Sequence, residues 1–148
     1  MTDQPLPQGE PSTPTAATYT QRGNTAFEAE MATRTASRAA AFFLPYLRPG
    51  MQLLDVGCGP GAITLGLAQT VAPGEVVGVD IQASQVDRAR ALAAERRITN
   101  ARFEVADINR LPFPDGSFDA VFAHTVLMHL REPVRALEEM RRVLRPGG

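Results

Sequence analysis

The chain has 148 residues, 44% hydrophobic and 21% charged, with a formal net charge of -1. That length suffices for one domain with a sizeable core, and the near-neutral charge leaves no electrostatic footprint for nucleic acid or an anionic membrane. No run of about 18 apolar residues predicts a membrane span, no basic then apolar leader is present, and the single cysteine, Cys58, excludes an internal disulfide and suits a reducing, cytoplasmic setting.

Residues 1–18 hold Pro5, Pro7, Pro11 and Pro14 among Thr, Gln, Ser and Gly. Such a segment buries too little apolar surface to offset its ordering entropy, so a disordered tail is expected there. Residues 25–44 are rich in Ala, Glu, Met and Arg with no Gly or Pro, which predicts one or two helices ended by Pro45 and Pro49-Gly50.

An alternating rhythm follows. An apolar run over 51–56 predicts a strand, and 62–71 has a helical pattern closed by Pro73-Gly74. The β-branched run over 75–80 predicts a second strand, 84–97 a helix, and the alternation over 101–106 a third strand. Pro112, Pro114 and Asp115-Gly116 mark a loop, 118–123 a fourth strand, and 133–144 a helix with proline in its first turn. Strands alternating with helices indicate βαβ units and a parallel sheet covered by helices, an α/β fold.

Ligands of such sheets bind outside the carboxyl ends of the strands. Asp55, Asp80 and Asp107 stand at or beside three of those ends, one βα unit apart. Carboxylates there require solvent, a donor or a cation. Gly57, Gly59 and Gly61 follow the first strand at alternate positions, a turn shaped for close approach of backbone and ligand. If that ligand is a nucleoside, Asp80 suits a ribose diol and Asp107 an adenine amine, with Ile81 and Ile108 against the ring. Asp55 would repel a pyrophosphate and would suit a cationic ligand.

The stretches "LLDVGCGPG", "VVGVD", "VADINRLPFPDGSFDAVFA" and "VLMHLREPVRALEEMRRVLRPGG", in this order, resemble the class I S-adenosylmethionine-dependent methyltransferases, especially the quinone-biosynthesis type. The resemblance covers roughly residues 45–148. It implies a Rossmann-like parallel sheet with helices on both faces and a seven-stranded whole, of which this chain holds the first half in the order 3-2-1-4. The organisation it implies is a tail over 1–18, an N-terminal helical lid over 19–48 and a partial S-adenosyl-L-methionine-binding domain over 49–148, with the chain stopping before strand five.

The residues it implies at the cofactor are Asp55, Gly57, Cys58, Gly59, Gly61, Asp80, Ile81, Asp107, Ile108 and His124, with Tyr19 and Arg34 from the lid. The reaction it implies is in-line displacement of a sulfonium methyl by a small-molecule acceptor. No Cys/His/Asp/Glu set has ligand spacing for zinc, so no metal is expected. Two alternatives stand beside it. Gly57, Gly59 and Ala62 also satisfy the dinucleotide pattern, as in an NAD(P)-dependent oxidoreductase. The short chain could instead be a cofactor-binding module without turnover, self-associating through an exposed fourth strand.

Plainer roles are expected for other residues. Cys58 reads as a small packed residue, and His129 as a structural histidine in a short helical turn. Arg141, Arg142 and Arg145 read as a solvated cluster complementing a helix dipole. Leu127, Met128, Val134, Leu137 and Met140 are expected in the core.

Overall fold

The computed structural model describes residues 25–148, so the expected tail and Tyr19 lie outside the described residues. The described chain runs α1 (Thr25–Thr33), α2 (Ala36–Ala39), β1 (Leu53–Val56), α3 (Ala62–Val71), β2 (Val76–Asp80), α4 (Ala83–Glu95), β3 (Ala101–Val105), β4 (Ala120–Ala123) and α5 (Pro133–Val143). Short 3-10 turns at Leu44–Tyr46 and Leu127–His129 complete it.

The four strands form one parallel sheet in the order β3-β2-β1-β4, as the resemblance implies. β1 lies at its centre, with Leu54 opposite Val77 on β2 and Val121 on β4. A central parallel strand is covered on both faces, which explains why Leu53, Leu54, Asp55 and Val56 are all buried in a short apolar run. On one face Leu53 and Val76 pack with Leu67 and Val71 of α3 and with Ala36 and Ala40. On the other, Leu54, Val56, Val77 and Val79 pack with Ile108, Leu111, Phe118 and with Ala136 and Val143 of α5.

The stretch before Pro45 forms two helices, as the sequence allowed, parted at Arg34-Thr35, where Thr35 adopts an extended conformation ahead of α2. Two expectations are corrected. Met128, Val134 and Leu137 are exposed, at 77%, 67% and 47%, because no described element lies over the outer face of α5 and the preceding turn; Leu127 and Met140 do pack on the core.

Of the arginine cluster, Arg141 is exposed as expected, but Arg142 and Arg145 are engaged in place of solvated. Arg142 donates to the carbonyls of Leu111 (3.0 Å) and Phe113 (2.8 Å), to Asp115 (2.8 Å) and through two nitrogens to Glu139. Glu139 in turn accepts from the Leu111 amide at 2.8 Å, and Arg145 pairs with Asp119. One guanidinium fork therefore clasps the loop that follows the third strand. Arg142→Ala is expected to lower the melting temperature and to raise hydrogen exchange over 107–116, with Arg142→Lys only partly restoring protection. Unchanged exchange in that loop would count against the clasp.

Candidate functional site

The turn after β1 and the loops after β2, β3 and β4 converge on one cavity at the carboxyl edge of the sheet. It is lined by Asp55, Gly57, Cys58, Gly59, Asp80, Ile81, Asp107, Ile108, His124 and Arg34. The structure thus gathers all the expected site residues it describes except Gly61. Gly61 faces away: a Cβ there would stand 2.8 Å from that of Ala89 on α4 and 3.0 Å from the ring of Phe103 on β3. Its missing side chain lets the turn pack against these elements.

Gly57 and Gly59 do line the cavity, where missing side chains make room for protein as well. A Cβ on Gly57 would lie 2.6 Å from Val126, and one on Gly59 would lie 2.6 Å from the Met31 methyl. Met31 and Arg34, at the end of α1, therefore close over the glycine turn. Arg34 reaches across to Thr125, its Nη1 donating to Oγ1 at 3.3 Å. Thr125 has φ of 55°, costly for a β-branched residue, at the mouth of the site.

Asp55 is 3% exposed and accepts a 2.6 Å hydrogen bond from the hydroxyl of Thr64, which is itself fully buried on α3. Burial pushes the Asp55 carboxyl up to about 7, against the lowering effect of Thr64. Asp80 is anchored: its Oδ2 accepts from the Gly59 amide at 3.0 Å and its Oδ1 from the Gln82 amide at 2.9 Å. It couples the glycine turn to the start of α4 while the carboxylate lines the cavity as an acceptor. Burial raises the Asp80 pKa, and these amides oppose it. Asp107 is exposed and accepts from the backbone and side chain of Asn109.

The Cys58 thiol is pushed well above its usual range, first by burial and then by Asp55 and Asp80. A thiol held protonated is a packed group and no nucleophile. His124 stacks on Phe122 at 6.2 Å with planes 7° apart, and burial and then Arg34 lower its pKa, which keeps the imidazole neutral at pH 7. His129 lines the same cavity.

Sequence reasoning missed Thr64, Met31, Thr125 and Gln85. Gln85, 6% exposed on the first turn of α4, lines the cavity, and its Oε1 has no hydrogen-bond partner. A buried unpaired amide oxygen costs about 1–3 kcal/mol, which a ligand donor would remove. Gln85→Leu is accordingly expected to keep or raise the melting temperature while weakening S-adenosylhomocysteine binding several-fold. Titration calorimetry and thermal melting would show it, and undiminished affinity would count against Gln85 as a contact.

The donor set identifies what fits. Acceptors dominate: three carboxylates and the Gln85 oxygen, with apolar faces from Ile81 and Ile108. A ligand with hydroxyls, an amine and net positive charge matches them, whereas a pyrophosphate would meet Asp55 at the head of the turn. S-adenosylmethionine fits this cavity on that chemistry.

Residues 47–148 match the family model described as "Methyltransferase domain". The chain is 42% identical over 144 residues to an uncharacterized methyltransferase of Schizosaccharomyces pombe, spanning 93% of this chain and 52% of that protein. The structure is similar to a SAM-dependent methyltransferase from Aquifex aeolicus, with TM-score 0.74, 26% identity, and coverage of 82% of this chain and 67% of that one. It is also similar to the [4+2]-cyclase SpnF, with TM-score 0.65 and 35% identity over 85% of this chain and 43% of that one. Fold, cavity and these matches together define an S-adenosylmethionine-dependent methyltransferase fold. The chain belongs to the methyltransferase domain family, and it spans about half the length of the Schizosaccharomyces pombe relative.

Proposed function

We propose that this chain binds S-adenosyl-L-methionine in the cavity at the carboxyl edge of the sheet and serves methyl transfer to a small-molecule acceptor. The observation that carries the proposal is the buried Asp55 carboxyl, hydrogen-bonded to Thr64, at the head of a glycine turn. In this reading Asp55 receives the amino end of the cofactor, Asp80 the ribose hydroxyls, and Asp107 the adenine amine between Ile81 and Ile108. Arg34 faces the cofactor carboxylate, and the backbone at Gly57, Cys58 and Gly59 lies along the methionine moiety.

The cofactor supplies a methyl carbon bonded to a sulfonium, an electrophile that an acceptor nucleophile displaces in line. The reaction is downhill, so the protein's part is alignment and exclusion of water, which accounts for a site without a strong catalytic constellation. Met31 and Arg34, lying over the glycine turn, supply the cover.

The finer parts of the reading are proposals too. The described residues up to 48 belong to the lid expected from the sequence, and 49–148 form the binding domain. A cytoplasmic location is part of the proposal, on the ground of the single cysteine. No helix among the described residues is long and apolar enough to cross a membrane. β4 pairs only with β1 among the described strands, and its other edge is proposed as a self-association surface. Sedimentation of the chain as a monomer at all concentrations would refute that last point.

Titration with S-adenosylhomocysteine and with NAD tests the core proposal: the first is expected to bind and the second not. Because a cyclase shares this fold, binding is followed by transfer of a labelled methyl group into a panel of small acceptors. Binding of NAD in preference to the homocysteine product would overturn the reading, and product binding without transfer would reduce the chain to a binding module.

A further inference from the structure

Beside the cofactor cavity lies a second, open one of about 400 Å3, and Arg34 and His124 line both. Its other walls are Glu30, Thr33, Thr35, Arg38 and Ala39, from the end of α1 and the turn into α2. A group passing from one cavity to the other crosses at the Arg34 and His124 side chains. That is the geometry methyl transfer needs, with donor and acceptor meeting at one opening.

The charges of the described residues around this second cavity do not cancel. Glu30 lies 3.7 Å from Arg34 and offsets it, and Arg34 also donates to Thr125. His124 is neutral near pH 7. Arg38 is exposed, and its guanidinium makes no ion pair or hydrogen bond with a described residue. Among the described residues, one uncompensated guanidinium therefore faces the cavity. Its planar fork of donors suits a carboxylate bound through both oxygens.

We infer that this second cavity is the acceptor pocket and that its occupant carries a carboxylate held by Arg38, with the nucleophile turned toward His124 and the cofactor cavity. The inference rests on the cofactor reading above. It assigns specificity to Arg38 and makes Arg34 and His124 the shared wall. The plain alternative is a solvated arginine on a short helix, which would select nothing.

The test uses the chain saturated with S-adenosylhomocysteine, probed by saturation-transfer NMR and calorimetry with 4-hydroxybenzoate and its neutral counterpart 4-hydroxybenzamide. The carboxylate is expected to bind at least fivefold more tightly than the amide. Arg38→Gln is expected to abolish that preference, and Arg38→Lys to keep part of it, both with the wild-type melting temperature because the side chain supports no packing. Equal binding of the two probes, no binding of either at millimolar concentration, or a preference surviving in Arg38→Gln would overturn the acceptor assignment while leaving the cofactor reading intact. Failure of S-adenosylhomocysteine to bind would instead overturn the cofactor reading, and the acceptor assignment with it.

Discussion

Replacing Asp55 by Asn is expected to raise the thermal stability of the chain at pH 8 and, in the same protein, to weaken S-adenosylhomocysteine binding roughly 10- to 100-fold. The two opposite signs come from one buried group. Burial moves the Asp55 pKa from its ordinary 3.8 to about 7. The folded-state value lies above the unfolded one, so the stability tied to this group is fully present below about pH 4 and is lost as the pH rises through about 7. A gap of that width corresponds to on the order of 4 kcal/mol of destabilisation once the carboxylate is ionised. Asn keeps the shape and an oxygen for the Thr64 hydroxyl without the charge. The melting temperature of the wild type should therefore fall relative to Asp55→Asn between pH 4 and 8. A ligand ammonium would favour the ionised carboxylate, so binding at pH 6.5 should release protons, visible as a heat that depends on the ionisation enthalpy of the buffer. Parallel pH–stability curves for the two proteins, or buffer-independent heats, would refute this account of Asp55.

The alternation of strands and helices was legible because a parallel sheet buried on both faces demands β-branched runs, and these stand out from the helical patterns between them. Strand starts were less legible. The amide of Gln52 is taken by the Asp119 carboxylate at 2.7 Å, so Met51 and Gln52 stay outside the ladder despite their apolar run. Phe118 likewise pairs with Leu144 in an isolated bridge in place of opening β4. Two helices before Pro45 were among the expectations, but the place of the break, at Arg34-Thr35, carries no Gly or Pro to mark it.

The strand-end aspartates could be found from spacing alone, since each strand end faces the same edge of the sheet. Their partners could not. Thr64 earns its role from a carboxylate on the preceding strand, Gln85 from an unpaired oxygen in the assembled cavity, and Arg142 from carbonyls nearly thirty residues away. Periodicity placed Val134 and Leu137 on one face of α5 but could not say whether anything covers that face.

Gly61→Ala is the second large effect. Gly61 has φ of +82°, a left-handed conformation that costs an alanine about 1 kcal/mol. The added methyl would also stand 2.8 Å from the Ala89 Cβ and 3.0 Å from the Phe103 ring, both buried with Leu65 and Val86 between α3, α4 and β3. Neither neighbour can swing away in a packed interior, so overpacking adds about 1–3 kcal/mol. Gly50 separates the two terms. Its φ of +91° is equally left-handed, but a Cβ there meets nothing within 4 Å. Gly50→Ala should cost the backbone strain alone, and Gly61→Ala roughly two to four times as much in denaturant unfolding. The Asp80 bond to the Gly59 amide lies two residues away, so the shift should also weaken S-adenosylhomocysteine binding in the folded Gly61 variant, whereas Gly50→Ala leaves it unchanged. Equal losses of stability in the two variants would mean that the turn yields to the methyl group, and that the close packing of Gly61 against Ala89 and Phe103 does not set the position of the glycine turn.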